Sequence, residues 1–317
     1  MAKNSNLHEA KANKKDEFYT QLSDIENELK HYKNHFKDKV VFCNCDDPDF
    51  SNFYKYFQLN FYVLGLKKLI TTHYNQGKKS YALIIERERE RESKSPNLPL
   101  PYEIKLNGDG DFRSPECIEF LKQSDIVVTN PPFSLFREYV AQLMEFDKKF
   151  LIIGNQNNIT YKEIFKFIKD DKMWLGSCLS FCEFKVPDYY EERSNRFRID
   201  ENGIKWRSFG NICWFTNLDN AKRHEILETI YLYDENKYKK YDDYDAINID
   251  KVSEIPMDYT DIMGVPITFL NKYNPEQFEI IQLDHWGKLG NLNNVVNGKT
   301  LYRRIYIKNK NPRKAKK

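Results

Sequence analysis

The 317-residue chain is long enough for one large or two modest domains with a substantial core. It lacks the run of about 18 apolar residues that a membrane span needs, and Met1 to Asn13 is polar, so membrane and secretory classes are excluded and a cytoplasmic protein is expected. Six cysteines, at positions 43, 45, 117, 178, 182 and 213, form no paired C-x-x-C framework, which argues for reduced thiols and against a structural zinc, and no metal is expected.

In chain order, a polar start gives way to a helix-like segment from Ser23-Asp24 through Leu29 to Phe36. Val40-Val41-Phe42-Cys43 reads as a short buried strand ending in the polar loop Asn44-Cys45-Asp46-Asp47-Pro48, and Phe50 to Leu59 resumes helical spacing. A second strand follows at Lys68-Leu69-Ile70-Thr71-Thr72. Gly77 to Pro101, with its alternating charges from Glu86 to Glu92, reads as a solvated charged helix or insertion followed by a Pro-rich loop. Gly108-Asp109-Gly110-Asp111-Phe112 is a Gly-rich acidic loop before a helix from Pro115 to Lys122. Ile126-Val127-Val128-Thr129 is a further strand, followed by helix Leu135 to Phe146, strand Phe150 to Ile153 and helix Tyr161 to Lys169. The strand-like runs Met173 to Phe181 and Asn211 to Thr216 are suited to closing the sheet with a hairpin. Strands separated by helices in this order predict an α/β fold with a mostly parallel sheet, in which ligands sit outside the carboxyl ends of the strands. After Leu218 the texture shifts to Tyr, Asn and Asp with short β-like pieces, so a first domain is expected over residues 1–217 and an appended region over 218–317.

The run Asn130-Pro131-Pro132-Phe133, directly after a strand and before a helix, carries the most chemistry. Two prolines lock φ near −65° and remove two amide donors, leaving backbone carbonyls available to another group. An Asn carbonyl oxygen and a neighbouring main-chain oxygen can grip one exocyclic amino group while the aromatic ring offers a stacking face. A planar ring bearing an amine is the implied substrate. A plain strand-ending turn is the competing reading.

From Lys299 to Lys317 there are nine Lys or Arg and no acidic residue, although the net charge is only +3. Such an end suits a phosphate backbone, and equally a solvated basic tail. Aromatics are abundant, with 21 Tyr and 22 Phe, which serve a core by default and leave some for stacking.

With these loops placed, the chain resembles, from end to end, the EcoRI-type family of adenine-N6 DNA methyltransferases. The matching stretches are Asp16 to Gln21, Asn44 to Pro48, Gly108 to Arg113, Asp125 to Phe136, Tyr244 to Asn248, Met263 to Leu270 and Asn274 to Phe278. The resemblance implies a Rossmann-like, S-adenosylmethionine-dependent methyltransferase fold with a C-terminal DNA-recognition region and a basic C-terminal tail. It further implies methylation of one adenine in a short double-stranded DNA sequence, with GAATTC and its second adenine the expected site, in a bacterial cytoplasm. A restriction endonuclease is the implied functional counterpart, without a stable complex, and a monomer is expected.

Carried over residue by residue, Tyr19 and Thr20 lie near the methionine part of the cofactor, and Asn44 and Asp46 hold its amino-acid end. Asp111 accepts the amino group of its adenine and Phe112 covers that ring. The loop after the first strand departs from the commoner Gly-x-Gly form, a departure the EcoRI type shares. No acid follows the second strand, where Thr71 to Asn75 stands, so the ribose ligand is unassigned. Asn130 and the Pro131 carbonyl accept the two hydrogens of adenine N6, Pro132 completes the catalytic run, and Phe133 stacks on the flipped base. Arg193, Arg196, Arg198 and Arg207 in the polar connection from Lys185 to Phe209 are the candidate base or phosphate contacts.

Other readings remain. Asp46-Asp47-Pro48 suits a helix cap, Gly108 to Phe112 suits an ordinary turn, and a calcium loop lacks the Glu it needs. An amino methyltransferase acting on RNA or protein, and a catalytically silent DNA-binding regulator, are the alternative functions.

Overall fold

A computed structural model describes residues 20–45, 47–75, 77–87, 99–178, 183–186, 196–208, 210–284, 290 and 292–313. The chain divides into two compact units, one of residues 1–158 and 176–218, the other of residues 159–175 and 219–317. Among the described residues no helix is long and apolar enough to cross a membrane.

The first unit contains strands β1 (Val40–Cys43), β2 (Lys68–Thr72), β3 (Tyr81–Glu86), β4 (Tyr102–Lys105), β5 (Ile126–Thr129) and β6 (Lys149–Asn155). After them come β7 (Phe184–Lys185), β8 (Phe197–Ile199), β9 (Lys205–Arg207) and β10 (Ile212–Thr216). Its helices are α1 (Leu22–Leu29), α2 (Asn52–Leu59), α3 (Pro115–Gln123) and α4 (Phe136–Glu145). Within this unit the strands of the main sheet run β4-β3-β2-β1-β5-β6-β10. Its centre, β2-β1-β5-β6, is parallel, and β3, β4 and β10 are antiparallel to their neighbours. The expected mostly parallel sheet is thus parallel at its centre and antiparallel towards its edges.

The central strands are apolar on both faces because both faces are covered. β1 and β5 are buried at every position, as a parallel strand between two helical layers must be. Val41, Leu69, Ile126, Val128, Leu151 and Ile153 cluster with Ile25 and Leu29 of α1, with Phe53 and Phe57 of α2 and with Phe36 beyond α1. Phe36 and Phe57 pack edge to face at 5.2 Å, as do Phe53 and Trp214 at 6.0 Å. On the opposite face Phe42 meets Phe120 of α3 at 6.2 Å and Phe136 of α4 meets Phe215 at 5.0 Å.

Two expectations are corrected. The segment from Gly77 is not a charged helix or insertion throughout, since Tyr81–Glu86 is a strand in register with β2, Leu69 opposite Ile85 and Ile70 opposite Ile84. Its apolar residues follow the period of a buried strand, and the charge alternation begins only at Glu86, which pairs with Lys68 across the two strands at 2.6 Å. Residues 88–98 lie outside the described set. The first helix ends at Leu29, and a short turn over Lys33–His35 carries the chain to Phe36.

The second unit holds α5 (Lys162–Lys169) and a sheet of β11 (Ile247–Asn248), β12 (Ile262–Pro266), β13 (Phe278–Leu283) and β16 (Arg304–Asn309). A hairpin of β14 (Val295–Val296) and β15 (Lys299–Thr300) lies between the last two. The sheet order is β11-β12-β16-β13, so β16 is central and pairs antiparallel on both sides. Part of the basic C-terminal stretch is thus a buried strand. Arg304 is 8% exposed and donates from Nε to Asn248 Oδ1 at 3.2 Å, while Arg303 pairs at 3.1 Å with Asp284, which is itself buried.

Candidate active site

The chain leaves β1 for β2 on one side and later returns to β5 on the other, so a topological switch lies between β1 and β5. Outside the carboxyl ends of two such strands the connections diverge and leave a crevice. Asn44 follows β1 directly and Asn130 follows β5 directly, which brings two of the candidate loops to that point.

Two bonds tie the loops together. The Thr129 hydroxyl donates to the Asn44 backbone carbonyl, and the Tyr139 phenol, from α4, donates to Asn44 Oδ1. Asn44 is 1% exposed. Burial pushes the Tyr139 phenol well above its ordinary value, so it stays a neutral donor. With its oxygen turned to Tyr139, the Asn44 amide presents its NH₂ on the other side. Neither Thr129 nor Tyr139 was a candidate from sequence. A phenol on the apolar face of an amphipathic helix was the available signal, since a buried tyrosine usually bonds something polar.

Asn130 is half-buried and Pro131 is buried. The Pro132 carbonyl accepts the Leu135 N–H at 2.9 Å, which opens a short turn over Phe133–Leu135 into α4. Phe133 is partly buried and packs against the main core cluster.

The acidic loop lies on the carboxyl end of β2. Asn75 N–H donates to the Asp109 carbonyl at 2.7 Å and Ser80 N–H to the Gly108 carbonyl at 3.1 Å. Gly110 has φ +80°, and a Cβ there would fall 2.0 Å from the His73 carbonyl oxygen, so glycine is required for both conformation and space. α3 secures the loop from its first turn. Ser114 caps the helix by accepting the Cys117 N–H at 3.2 Å, and the Glu116 carboxylate accepts the backbone N–H groups of Asn107 and Gly108 at 3.0 Å each. Those amides hold the Glu116 carboxyl below the usual carboxylate range.

Asp111 faces Arg113, whose guanidinium donates to its two oxygens at 2.8 and 2.7 Å, and this bond raises the arginine's pKa. Asp111 Oδ1 also accepts the Arg113 backbone N–H at 2.9 Å. Phe112 is 4% exposed and packs edge-on against Tyr139 with ring centres 5.0 Å apart. Tyr139 therefore touches both Asn44 and Phe112 and joins the loops after β1 and β4.

Thr20 is buried, and its carbonyl accepts Asn52 Nδ2 at 2.7 Å from the first turn of α2. Its hydroxyl is buried with no hydrogen-bond partner among the described residues. Tyr19 and Asp46 lie outside the described residues.

Two of the candidate arginines belong to the antiparallel sheet β7-β9-β8 and one lies beside it. Arg198 on β8 donates to Glu183 at 2.6 and 2.9 Å and lies 5.4 Å over the Trp206 ring, and Glu183 raises its pKa. Arg207 on β9 is half-buried, and burial lowers its pKa. Arg196, just before β8, is exposed and lies close against Gly210. Arg193 is outside the described residues.

The family model described as "Adenine-specific methyltransferase EcoRI" matches residues 6–316. The chain is 51% identical over 320 residues to the type II methyltransferase M.EcoRI of Escherichia coli, covering 98% of each protein. It is 43% identical to M.MpnI of Mycoplasma pneumoniae over 87% of this chain and 84% of that one, and 38% identical to M.MgeORF184P of Mycoplasma genitalium over 95% and 98%. A family model and relatives that run nearly the whole length include both the loops at the switch point and the second unit. The chain belongs to the EcoRI family of adenine-specific type II DNA methyltransferases.

Proposed function

We propose that the enzyme transfers a methyl group from S-adenosylmethionine to N6 of an adenine in double-stranded DNA, with GAATTC the expected site and its second adenine the target. The observation that carries this reading is the position of Asn130-Pro131-Pro132-Phe133 at the end of β5, braced to the loop after β1 through Thr129 and Asn44.

The donor set around the switch point fits the cofactor. A buried hydroxyl without a partner costs roughly 1–3 kcal/mol, which a polar ligand atom would relieve at Thr20. Tyr19, Asn44 and Asp46 are assigned with it to the amino-acid end, and Asp111 and Phe112 to the adenine. When bound, S-adenosylmethionine supplies a methyl group on a sulfonium, a leaving group that departs neutral.

The chain's own residues then have three tasks. Phe133 stacks on an adenine turned out of the duplex, offsetting the few kcal/mol that unstacking costs. Asn130 Oδ1 and the Pro131 carbonyl accept the two N6 hydrogens, and neither proline can place an N–H in their way. These bonds align better as the nitrogen becomes tetrahedral, so they stabilise the transition state more than the ground state. The product ammonium is acidic enough to lose its proton to solvent, so no side-chain base is needed.

DNA recognition is assigned to the second unit and to the β7-β9-β8 sheet. Arg196 and Arg207 are assigned to bases or phosphates there, together with Arg198, which must share its guanidinium with Glu183. The biological setting we assign is protection of host DNA from a cognate restriction endonuclease, by a monomer that forms no stable complex with it.

The test is incubation with labelled S-adenosylmethionine and unmethylated genomic DNA, followed by mapping of N6-methyladenine on both strands. One methylated motif is expected. Cofactor binding without label on DNA would move the substrate to RNA or protein amines.

A further inference from the structure

The carboxyl end of β2 carries Thr71-Thr72-His73-Tyr74-Asn75 and no acid. In α/β folds that bind nucleoside cofactors, an acid at about that place commonly accepts the ribose hydroxyls. Here the fold brings one across from the neighbouring loop, for Asp47 Oδ2 lies 3.4 Å from His73 Nε2.

Both partners are held from behind. The Asp47 carbonyl accepts the N–H groups of Phe50 and Ser51 at 3.0 and 2.6 Å, and its Oδ1 accepts the Asp49 N–H at 2.9 Å. His73 is stacked on Tyr81, with ring centres 4.9 Å apart and planes 16° from parallel, and Tyr81 in turn donates to Asp49 Oδ2 at 3.3 Å. The Ser80 hydroxyl gives its one proton to the His73 carbonyl, so at 2.9 Å from Ser80 Oγ the ring nitrogen Nδ1 must be the donor. That leaves Nε2 as the ring's outward group, facing Asp47.

A separation of 3.4 Å is longer than the 2.7–2.9 Å of a closed charge-assisted bond, so neither group saturates the other. Both side chains are shielded yet reachable, 18% exposed for His73 and 25% for Asp47. A carboxylate oxygen that accepts, next to an imidazole nitrogen able to accept or donate, matches two hydroxyls on adjacent carbons.

We propose that Asp47 and His73 form the subsite for the ribose diol of the cofactor, in place of the acid missing after β2. The proposal rests on the S-adenosylmethionine reading above. It explains why Gly108 to Phe112 is fastened to the same strand end. The loop assigned to the adenine and the pair assigned to the sugar then share His73 and Ser80 as their support.

The test measures by calorimetry the binding of S-adenosylhomocysteine and of its 2′,3′-dideoxyribose analogue to the full-length protein and to Asp47→Asn, with each variant's melting curve recorded. Wild type should prefer the intact diol by about tenfold or more, the scale of a hydrogen bond to a charged group. Asp47→Asn should lose that preference and bind both ligands as wild type binds the dideoxy analogue. Equal weakening of both ligands, or unchanged affinity for S-adenosylhomocysteine, would overturn the subsite. The wild-type comparison decides without any variant. Binding with no diol preference removes the subsite alone, whereas binding of neither ligand removes the cofactor reading with it.

Discussion

Asn130 stands one residue beyond a threonine whose hydroxyl is bonded across the switch point, so its backbone is fixed on the side from which the chain arrives. The two prolines fix it on the other. A side chain so restrained can act as a preorganised acceptor, and its loss should fall on the chemical step and not on binding. Asn130→Ala is therefore expected to lower kcat by at least about a hundredfold, with S-adenosylhomocysteine affinity within a factor of about two of wild type. Single-turnover methylation and calorimetry check both halves. Near-normal turnover would mean that N6 is gripped elsewhere. At this scale the sequence singled out the run Asn130 to Phe133, which the fold sets at the end of β5 beside the switch point. It said little about the residues behind them. Thr129 and Tyr139 are ordinary members of a strand and a helix until the fold sets them against Asn44. The Asp47–His73 pair joins positions in two separate loops whose meeting depends on strand order alone.

Among the elements, α3 and the loop before it form one mechanical piece. Glu116 accepts two loop amides, and those amides depress its carboxyl pKa. A depressed acid contributes stability above its unfolded pKa of about 4.3, and the contribution disappears as pH falls through the lower folded value. Glu116→Gln should therefore melt below wild type at neutral pH, and the gap should narrow once pH drops under about 4. It should also weaken cofactor binding, since the loop carrying Asp111 and Phe112 loses its tether. A gap that stays constant down to acid would show that the charge is not what matters. The strands were legible where short apolar runs stood between polar loops, as for Val40–Cys43 and Ile126–Thr129. Tyr81–Glu86 was missed because the charge alternation starting at its last residue set the reading of the whole segment, although its first five residues are a buried strand by composition.

For the whole molecule, electrostatics and connectivity set the terms. The basic stretch from Lys299 does not act as a single tail, because Arg303 and Arg304 are committed to Asp284 and Asn248 inside the second unit. Lys314, Lys316 and Lys317, beyond the described residues, are the cations to test. Removing residues 314–317 should flatten the dependence of log K for DNA on log salt by about 0.9 for each phosphate that is no longer neutralised, while leaving cofactor affinity unchanged. An unaltered slope would take those lysines out of the interface. Connectivity has a further consequence through β16. This strand joins β12 to β13, so β13 has no partner in the sheet, and β12 only β11, until the chain has been made as far as Asn309. On a ribosome, Phe278–Leu283 must wait with its hydrogen-bonding groups open until Arg304–Asn309 has been made. A message truncated shortly before Arg304 would yield a product with the Asn130 loop encoded but the second sheet unable to close.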